Sequence, residues 1–332
     1  MNILWAGAEY EDFPLPGVAG PSTTAGRFRA NWARCAINMG GNNLTAQTKG
    51  AIFNGGAVTS AWISCQANFV NTNGVDSKCV GFGQSSSANG LCWGFDSGGT
   101  KFCIFKYDGT TTTRLAIESG TTFALGPLFR VDMQVISYGA SGTVNLYVNG
   151  VSIISFTGNL AVSGMTNMDS VTLFQYQTNN PPFYSEIFVA DSDTRAIQGM
   201  QTMLATGAGT TNNWTNNTFS NINALVANDG NATYVNTATQ DQQYNVTDMT
   251  PPAYSVVAVV VNARIAKTAG STPTQVKLGY NSGGTVAFGT GATKTPSVGF
   301  TQASQIDHTN PVTGVAFAPS DMNALQLDLR SA

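Results

Sequence analysis

The chain has 332 residues, of which 42% are hydrophobic and only 10% are charged, and its formal net charge is −3. Its length favours two domains, and its scattered charges include no basic run that could follow a phosphate backbone, which argues against a nucleic-acid partner. No apolar stretch reaches about 18 residues, and the N-terminus lacks the basic start and apolar core of a secretory signal, so we expect cytoplasmic synthesis and no membrane partner.

The first segment, residues 1–31, is predicted to be an arm that contacts a neighbouring subunit. Three prolines interrupt any regular element in it, namely Pro14, Pro16 and Pro21. The segment also carries the one acidic cluster of the sequence, formed by Glu9, Glu11 and Asp12. A solvated terminal segment explains such a cluster better than a catalytic site does.

Residues 32–204 are predicted to form a two-sheet β-sandwich. In FRVDMQV (129–135) every second residue is apolar, as in a strand with one buried face. In VNLYVNGVSI (144–153) two alternating runs flank the pair Asn149 and Gly150, which favours a type I′ turn and predicts a β-hairpin. Other short apolar runs are separated by Gly, Ser, Thr and Asn clusters, which is typical of sandwich domains.

Five cysteines fall in this first part of the chain, namely Cys35, Cys65, Cys79, Cys92 and Cys103. Their number is odd, and they show no paired CxxC spacing. We expect reduced thiols buried in a core, because cytosolic thiols stay reduced and a buried cysteine behaves as a small apolar residue. A zinc site would need histidine nearby, but the single histidine, His308, lies far along the chain. No cofactor is expected.

The composition changes to small and polar residues at ATGAGTTNN (205–213), which is predicted to be a domain linker. Residues 214–332 are predicted to form a second, smaller β-sandwich domain. Apolar residues alternate there in three runs, 257–265, 276–280 and 325–329. The chain as a whole is therefore expected to be all-β.

Two groups of segments resemble known families. FRVDMQVISYGASGTVNLYVNG (129–150) and SEIFVADSDTR (185–195) are similar to the concanavalin A-like lectin/glucanase sandwich, of the LamG-like kind, as it occurs in phage virion proteins. LATGAGTTNNWTN (204–216), INALVANDGNATYV (222–235) and GVAFAPSDMNALQLDLRS (314–331) resemble a C-terminal module of tailed-phage and prophage structural proteins. The resemblance implies a concanavalin A-like jelly-roll β-sandwich followed by a smaller β-sandwich domain, carried on a virus particle.

The sandwich family includes glycosidases, which need a pair of carboxylates. Glutamate is rare in this sequence and occurs at Glu9, Glu11, Glu118 and Glu186. The E-x-D-x-x-E run of glucanases is absent, and Glu186 is predicted to be an outward-facing strand position without a second acid. His308 lies in a polar loop, QIDHTNP, which suits a loop hydrogen bond better than a catalytic triad. We therefore expect no enzymatic activity.

Asp191 and Asp193 are the candidates for a calcium site, because their spacing could place two hard oxygen ligands on one loop. The glycine and the distal glutamate of a twelve-residue calcium loop are missing, however. Asp-x-Asp is equally a turn-forming pattern. We therefore predict no metal site.

Carbohydrate binding requires aromatic faces beside amide groups. The aromatic candidates are Trp93, Tyr107, Tyr176 and Tyr184. Trp93 lies in a strand-like run and is expected to be a core residue instead. The loop QYQTNNPPFY (175–184), stiffened by two prolines, is the better candidate for contact with a glycan or with a partner subunit. Its candidate ligand residues are Gln175, Tyr176, Asn179, Asn180 and Tyr184.

Together these features predict a bacteriophage virion structural or accessory protein, displayed on the capsid, collar or tail and assembled in the host cytoplasm. Its partners would be other virion proteins, and a symmetric homo-oligomer such as a dimer or trimer is expected. The alternative is an adhesin that recognises a host surface glycan. A glycan hydrolase is the third and weakest interpretation.

Overall fold

A computed structural model describes residues 1–7, 20–22, 36–38, 48–68, 76–84, 89–120, 123, 128–174, 183–197, 199–201, 203–217, 232–249, 255–270 and 272–332. The chain divides into two compact units, Met1–Met200 and Gln201–Ala332. Both units are built from antiparallel strands, as the all-β prediction requires. Within the described residues, no helix has the length and apolar character needed to cross a membrane.

The first unit contains fourteen strands among its described residues. They are β1 (Ile3–Gly7), β2 (Gly20–Ser22), β3 (Ala36–Asn38), β4 (Thr48–Ile52), β5 (Ala61–Asn68), β6 (Ser77–Gly83), β7 (Gly90–Phe95), β8 (Phe102–Tyr107), β9 (Thr112–Ile117), β10 (Leu128–Ser137), β11 (Gly142–Val148), β12 (Val151–Gly158), β13 (Ser170–Phe174) and β14 (Phe183–Ala190). An eight-stranded sheet runs in the order β12-β11-β10-β5-β14-β3-β2, with β1 also paired to β14. A six-stranded sheet runs in the order β4-β13-β6-β7-β8-β9.

The two sheets of the first unit share one apolar core, which makes this unit a β-sandwich. Val131 and Leu146 of the eight-stranded sheet and Val80 and Leu173 of the six-stranded sheet are all fully buried in the same cluster. Burial of each such side chain contributes about 1.5–3 kcal/mol relative to exposure. The alternating run on β10 therefore has the role that its pattern predicts.

The predicted hairpin is confirmed as β11 and β12, which pair from Val148 and Val151 outward. Asn149 and Gly150 both have positive φ, 49° and 82°, which a type I′ turn requires. Asparagine and glycine reach this region at low cost, so the two turn residues set the register of the hairpin.

The thiols of the first unit are core residues, as expected. Cys65, Cys79, Cys92 and Cys103 are buried and carry no disulfide, while Cys35 lies outside the described residues. Burial raises the pKa of Cys92 and of Cys103 to about 12, because a thiolate loses its hydration there. At neutral pH these thiols are protonated and act as apolar packing groups.

The prediction of an N-terminal arm over residues 1–31 is wrong at its start. Ile3–Gly7 are the buried strand β1, which pairs with β14 so that Gly7 lies opposite Ile187. The run ILWAG has apolar or small side chains at every position, so both of its faces can be buried. Gly20–Ser22 also form a strand, paired with β3. The acidic cluster at Glu9, Glu11 and Asp12 lies outside the described residues.

The second unit contains eight strands and one short helix among its described residues. They are β15 (Ala205–Asn212), β16 (Asp241–Val246), β17 (Val259–Ile265), β18 (Val276–Ser282), β19 (Thr285–Ala287), β20 (Thr293–Lys294), β21 (Thr301–Asp307), α1 (Pro319–Asn323) and β22 (Leu325–Ser331). One sheet runs β15-β16-β22-β18-β19, with β20 paired to β18, and β17 pairs with β21 as a ribbon. Leu278 and Tyr280 of the sheet share a core with Val261 and Ala303 of the ribbon.

The predicted linker at 205–213 is wrong, because Ala205–Asn212 form the edge strand β15, paired with β16. An edge strand buries little, and this one alternates between exposed and partly exposed residues with no apolar periodicity to reveal it. Gly209 is needed there, since a Cβ atom at this position would lie 2.6 Å from Cβ of Gln243. A composition typical of a linker therefore also suits a close strand pairing.

Candidate binding site on the first sandwich

The outer face of the eight-stranded sheet carries polar side chains, because the apolar residues that alternate with them fill the core. A cavity of about 360 Å³ opens on this face. It is lined by Gln66, Leu128, Arg130, Asp132, Asn149, Gly150 and Arg195. Four elements supply these residues: strand β5, strand β10, the β11–β12 turn and the segment that follows β14.

Arg130 and Asp132 form a buried ion pair at the floor of the cavity. Arg130 Nε lies 3.1 Å from Asp132 Oδ2, and the Asp132 side chain is fully buried. The other Asp132 oxygen, Oδ1, accepts a hydrogen bond from Thr194 Oγ1 at 2.7 Å. Arg130 Nη2 donates to the Thr194 carbonyl at 2.6 Å, and Arg130 Nη1 donates to the Ile197 carbonyl. The ion pair thus fastens the segment after β14 onto the sheet.

Arg195 lies over an aromatic pair on the same face. Its guanidinium carbon is 4.2 Å from the ring centre of Tyr147 and 5.3 Å from that of Trp62, and the two rings stack at 5.5 Å. Asp193 accepts a hydrogen bond from Arg195 Nη2 at 2.5 Å. The hydrogen bonds from Arg195 hold the pKa of Asp193 below its ordinary value. The cation–π contacts and the ion pair together fix the direction of the guanidinium.

Two amide side chains complete the wall of the cavity. Gln66 lies opposite Arg130 in the pairing of β5 with β10 and is only 5% exposed. Its side-chain amide has no hydrogen-bond partner in the part of the chain that the structure describes. Asn149 Oδ1 accepts from the Arg130 backbone N–H at 2.9 Å, which leaves Asn149 Nδ2 available. A buried amide without a partner needs a ligand or water to complete its hydrogen bonds.

Most of the loop predicted to bind a glycan lies outside the described residues. This part includes Gln175, Tyr176, Asn179 and Asn180. Tyr184 is fully buried in strand β14, which corrects its assignment to an exposed loop.

The other aromatic candidates are also buried. Tyr184 packs against Trp93, with 6.3 Å between ring centres, and Trp93 is the core residue that we expected. Tyr107 is almost fully buried, and its hydroxyl donates to the Gly109 carbonyl at 2.6 Å. None of these three aromatic faces is open to a sugar.

The two candidate calcium ligands have separate protein partners. Asp191 accepts hydrogen bonds from the backbone N–H and the side-chain amide of Asn2, at 2.8 and 2.7 Å. Asp193 is paired with Arg195, as described above. Among the described residues, no three His, Cys, Asp or Glu side chains gather into a group that could hold a metal ion.

The prediction that Glu186 faces outward is wrong. Its side chain is buried, and Glu186 Oε2 accepts from the Met200 backbone N–H at 3.1 Å. The pairing of β14 with β5 shifts between Ser185 and Phe188, and Glu186 has a φ of 49°. A β-bulge of this kind breaks the alternation of side chains along the strand, which the prediction had assumed.

The cavity itself was not anticipated from the sequence. Arg130 and Asp132 occupy the polar positions of a strand that alternates, so their pattern indicates only a wet face. Gln66 and Arg195 are more than a hundred residues apart and meet because the fold places β5 beside both β10 and β14. One sequence feature could have indicated the cavity. It is the RVD pattern on β10, in which Arg130 and Asp132 place opposite charges on one face of the strand.

No protein-family model and no curated protein matches this chain. Among solved structures, the chain is similar to a carbohydrate-binding module, CBM66 from Bacillus subtilis, with 8% identity, 53% of this chain and 92% of that chain covered, and a TM-score of 0.36. It is also similar to the cellulose-induced protein Cip1, with 11% identity and a TM-score of 0.39. That match covers 56% of this chain and 91% of Cip1. It is similar as well to the receptor-binding domain of botulinum neurotoxin type G, with 9% identity and a TM-score of 0.34. That match covers 56% of this chain and 43% of the other. Likenesses this distant carry no argument about function.

Proposed function

We propose that the protein is a non-catalytic recognition protein of a tailed-phage particle, and that its first sandwich binds a carbohydrate of the host surface. The observation that carries the proposal is the cavity of about 360 Å³, walled by amide and guanidinium groups. Amides and guanidinium groups are planar and offer hydrogen bonds in fixed directions, which suits the neighbouring hydroxyls of a sugar ring. The unpartnered amide of Gln66 is the group that gains most from such a ligand.

The geometry of the cavity is set before a ligand arrives. Arg195 is held by Asp193 and by the stacked rings of Trp62 and Tyr147. Asn149 is held by its hydrogen bond to the Arg130 backbone. Side chains that are already ordered lose little entropy on binding, which favours affinity for a small polar ligand.

A non-catalytic role is supported by the described residues that line the cavity, which include no second acid. Glycosidases of the retaining and inverting kinds place two carboxyl groups about 5 to 9.5 Å apart. Among the described residues lining the cavity, Asp132 is the sole carboxylate, and Arg130 and Thr194 already occupy it. An acid in this state neither attacks a glycosidic bond nor protonates one.

The particle-borne part of the proposal rests on the sequence. The segments 204–216, 222–235 and 314–331 resemble the C-terminal module of phage structural proteins. The low content of charged residues, 10%, suits a subunit that lies against other proteins.

The test is a glycan array probed with the purified protein, followed by affinity measurement on the strongest ligand. We expect Gln66→Ala to weaken binding at least about tenfold, equivalent to about 1.4 kcal/mol, because it removes an amide from the cavity wall. The matched control is Gln134→Ala, which removes an amide from β10 on the same sheet face but outside the lining of the cavity. A blank array, or equal losses in the two variants, would contradict the proposal.

A second candidate function is a structural protein of the virion that acts through protein contacts alone. Exposed apolar side chains in the second unit favour it, since Val298 is 68% and Val315 is 62% exposed. Mass spectrometry of purified particles separates the two functions. A high, symmetric copy number with no glycan binding favours the structural role, whereas a few copies together with glycan binding favour recognition.

A further inference from the structure

We propose that this cavity selects an uncharged sugar over the corresponding uronic acid, an inference that rests on the proposed carbohydrate function. Two arginines in a binding cavity commonly attract anionic ligands. Here each guanidinium already faces a carboxylate. Arg130 Nε lies 3.1 Å from Asp132 Oδ2, and Arg195 Nη2 lies 2.5 Å from Asp193 Oδ2. Two positive and two negative charges cancel, so the cavity offers no net attraction for an anion.

Four of the five N–H groups of Arg130 are already held by protein acceptors. Its Nε and Nη2 donate to Asp132, and Nη1 and Nη2 donate to the carbonyls of Ile197 and Thr194. A uronic acid could form the two-point contact of a strong arginine–carboxylate pair only by breaking one or more of these bonds. Because Asp132 is fully buried, the break would leave its charge unpaired, which is costly.

The groups that remain available match hydroxyls better than carboxylates. Gln66 presents both an acceptor oxygen and a donor nitrogen, and neither has a partner within the described residues. A sugar hydroxyl donates and accepts, so it can satisfy either end of this amide. An ionised carboxylate only accepts, so where it replaces a hydroxyl beside the Gln66 oxygen it cannot donate to that oxygen.

Asp193 adds a repulsive element against acidic ligands. Its carboxylate is partly exposed beside Arg195, and its pKa is lowered by the hydrogen bonds from Arg195, so it is ionised at neutral pH. A ligand carboxylate near Arg195 would also approach Asp193. Discrimination of this kind relies on the unfavourable contact with the wrong ligand as much as on contacts with the right one.

The experiment measures binding of matched pairs that differ only in oxidation of the C6 hydroxymethyl group: gluco- against glucurono-oligosaccharides, and galacto- against galacturono-oligosaccharides. We expect the wild-type protein to bind the neutral member of a pair at least about tenfold more tightly. Asp193→Asn removes the compensating charge, so it should raise affinity for the acidic member several-fold, with a gain that falls at high salt. The matched control is Asp191→Asn, two residues away and bonded to Asn2, which should leave the preference unchanged.

The possible results distinguish this inference from the function on which it rests. Equal or tighter binding of the acidic members by the wild-type protein overturns the charge selectivity and leaves the carbohydrate function standing. Failure to bind either member of any pair, together with a blank glycan array, overturns the carbohydrate function itself. An Asp193→Asn variant whose preference matches that of wild type overturns the role assigned to Asp193.

Discussion

Buried carboxylates in this protein are stabilised in two different ways. Asp132 in the first unit is neutralised by Arg130 and also accepts a hydrogen bond from Thr194. Asp328 in the second unit is equally buried on β22, but the hydrogen bond that its carboxylate accepts comes from the neutral amide of Gln243, at 2.6 Å. Loss of hydration raises the pKa of Asp328 to about 6, although the hydrogen bond from Gln243 and the charge of Arg330 act to lower it.

The raised pKa predicts that the second unit is more stable in mild acid than at pH 8. Asp328 binds its proton more tightly in the folded chain, where its pKa is about 6, than at its ordinary pKa of 3.8. The destabilising effect is therefore fully present above pH 6 and is relieved as the pH falls towards 4. Asp328→Asn should raise stability at pH 8 by about 1 to 3 kcal/mol and reduce the pH dependence between pH 4 and 6.

Calorimetry of the unfolding transition at pH 5 and pH 8 measures this effect. The control is Asp248→Asn, which removes an exposed carboxylate from the same unit. A loss of stability at pH 8 in Asp328→Asn would contradict the prediction. It would mean that the ionised carboxylate, with its hydrogen bond from Gln243, stabilises the fold.

At the scale of elements, the segment that follows β14 is fixed by side chains of the sheet beneath it. Asp193 caps a short 3-10 helix, Thr194–Ala196, by accepting from the Arg195 backbone N–H. Arg130 then holds the carbonyls of Thr194 and Ile197. The Arg130–Asp132 pair thus has a structural role in addition to forming the floor of the cavity.

Removing Asp132 should therefore destabilise the first unit strongly. Asp132→Ala leaves the Arg130 charge without its partner in a mostly buried site, and we expect a loss of about 3 kcal/mol. The control is Asp76→Ala, which breaks the exposed pair between Asp76 and Arg114 and should cost at most about 1 kcal/mol. Denaturant unfolding compares the two, and hydrogen exchange of residues 194–200 should accelerate in Asp132→Ala alone. Similar losses of stability in both variants would contradict the structural role of the Arg130–Asp132 pair.

Some elements could be predicted from the sequence because their cause is local. The run on β10 alternates along one strand, and Asn149 and Gly150 carry the turn preference of their hairpin in their own backbones. β15 could not be predicted, since pairing with β16 makes it a strand and its residues bury little. The bulge at Glu186 was hidden for a similar reason, because the pairing of β14 with β5 creates it.

The cavity depends on contacts that no local pattern carries. Arg130 and Asp132 are close in sequence, but Gln66 and Arg195 join them through strand order. The sequence accordingly predicts the sandwich well and its cavity poorly. Trp93 is the core residue that its strand-like setting predicts, whereas Tyr184, a predicted ligand contact, also lies in the core.

At the scale of the whole molecule, the division into Met1–Met200 and Gln201–Ala332 predicts two independently folding parts. Each side of the boundary is anchored within its own unit. Met200 donates its backbone N–H to Glu186, and Leu204 exchanges hydrogen bonds with Thr247. Each part also has its own apolar core.

Fragments 1–200 and 201–332, produced separately, should each give a β-type circular dichroism spectrum and a cooperative thermal transition. A fragment 1–160, which lacks β13 and β14, serves as the control and should not fold, because both sheets lose a central strand. An unfolded 201–332 fragment would show that the second unit depends on the first.

The central place of β14 has a consequence for the order of events during synthesis. β1 and β5 both pair with β14. Ile3–Gly7 are nevertheless translated about 180 residues before Phe183–Ala190. At about 5–20 residues per second, β1 waits on the order of 10 to 35 s for its partner, and β5 waits about two thirds as long. Throughout that interval the nascent chain exposes apolar β1 and one unpaired edge of β5, so newborn chains are most exposed to self-association just before the sandwich closes.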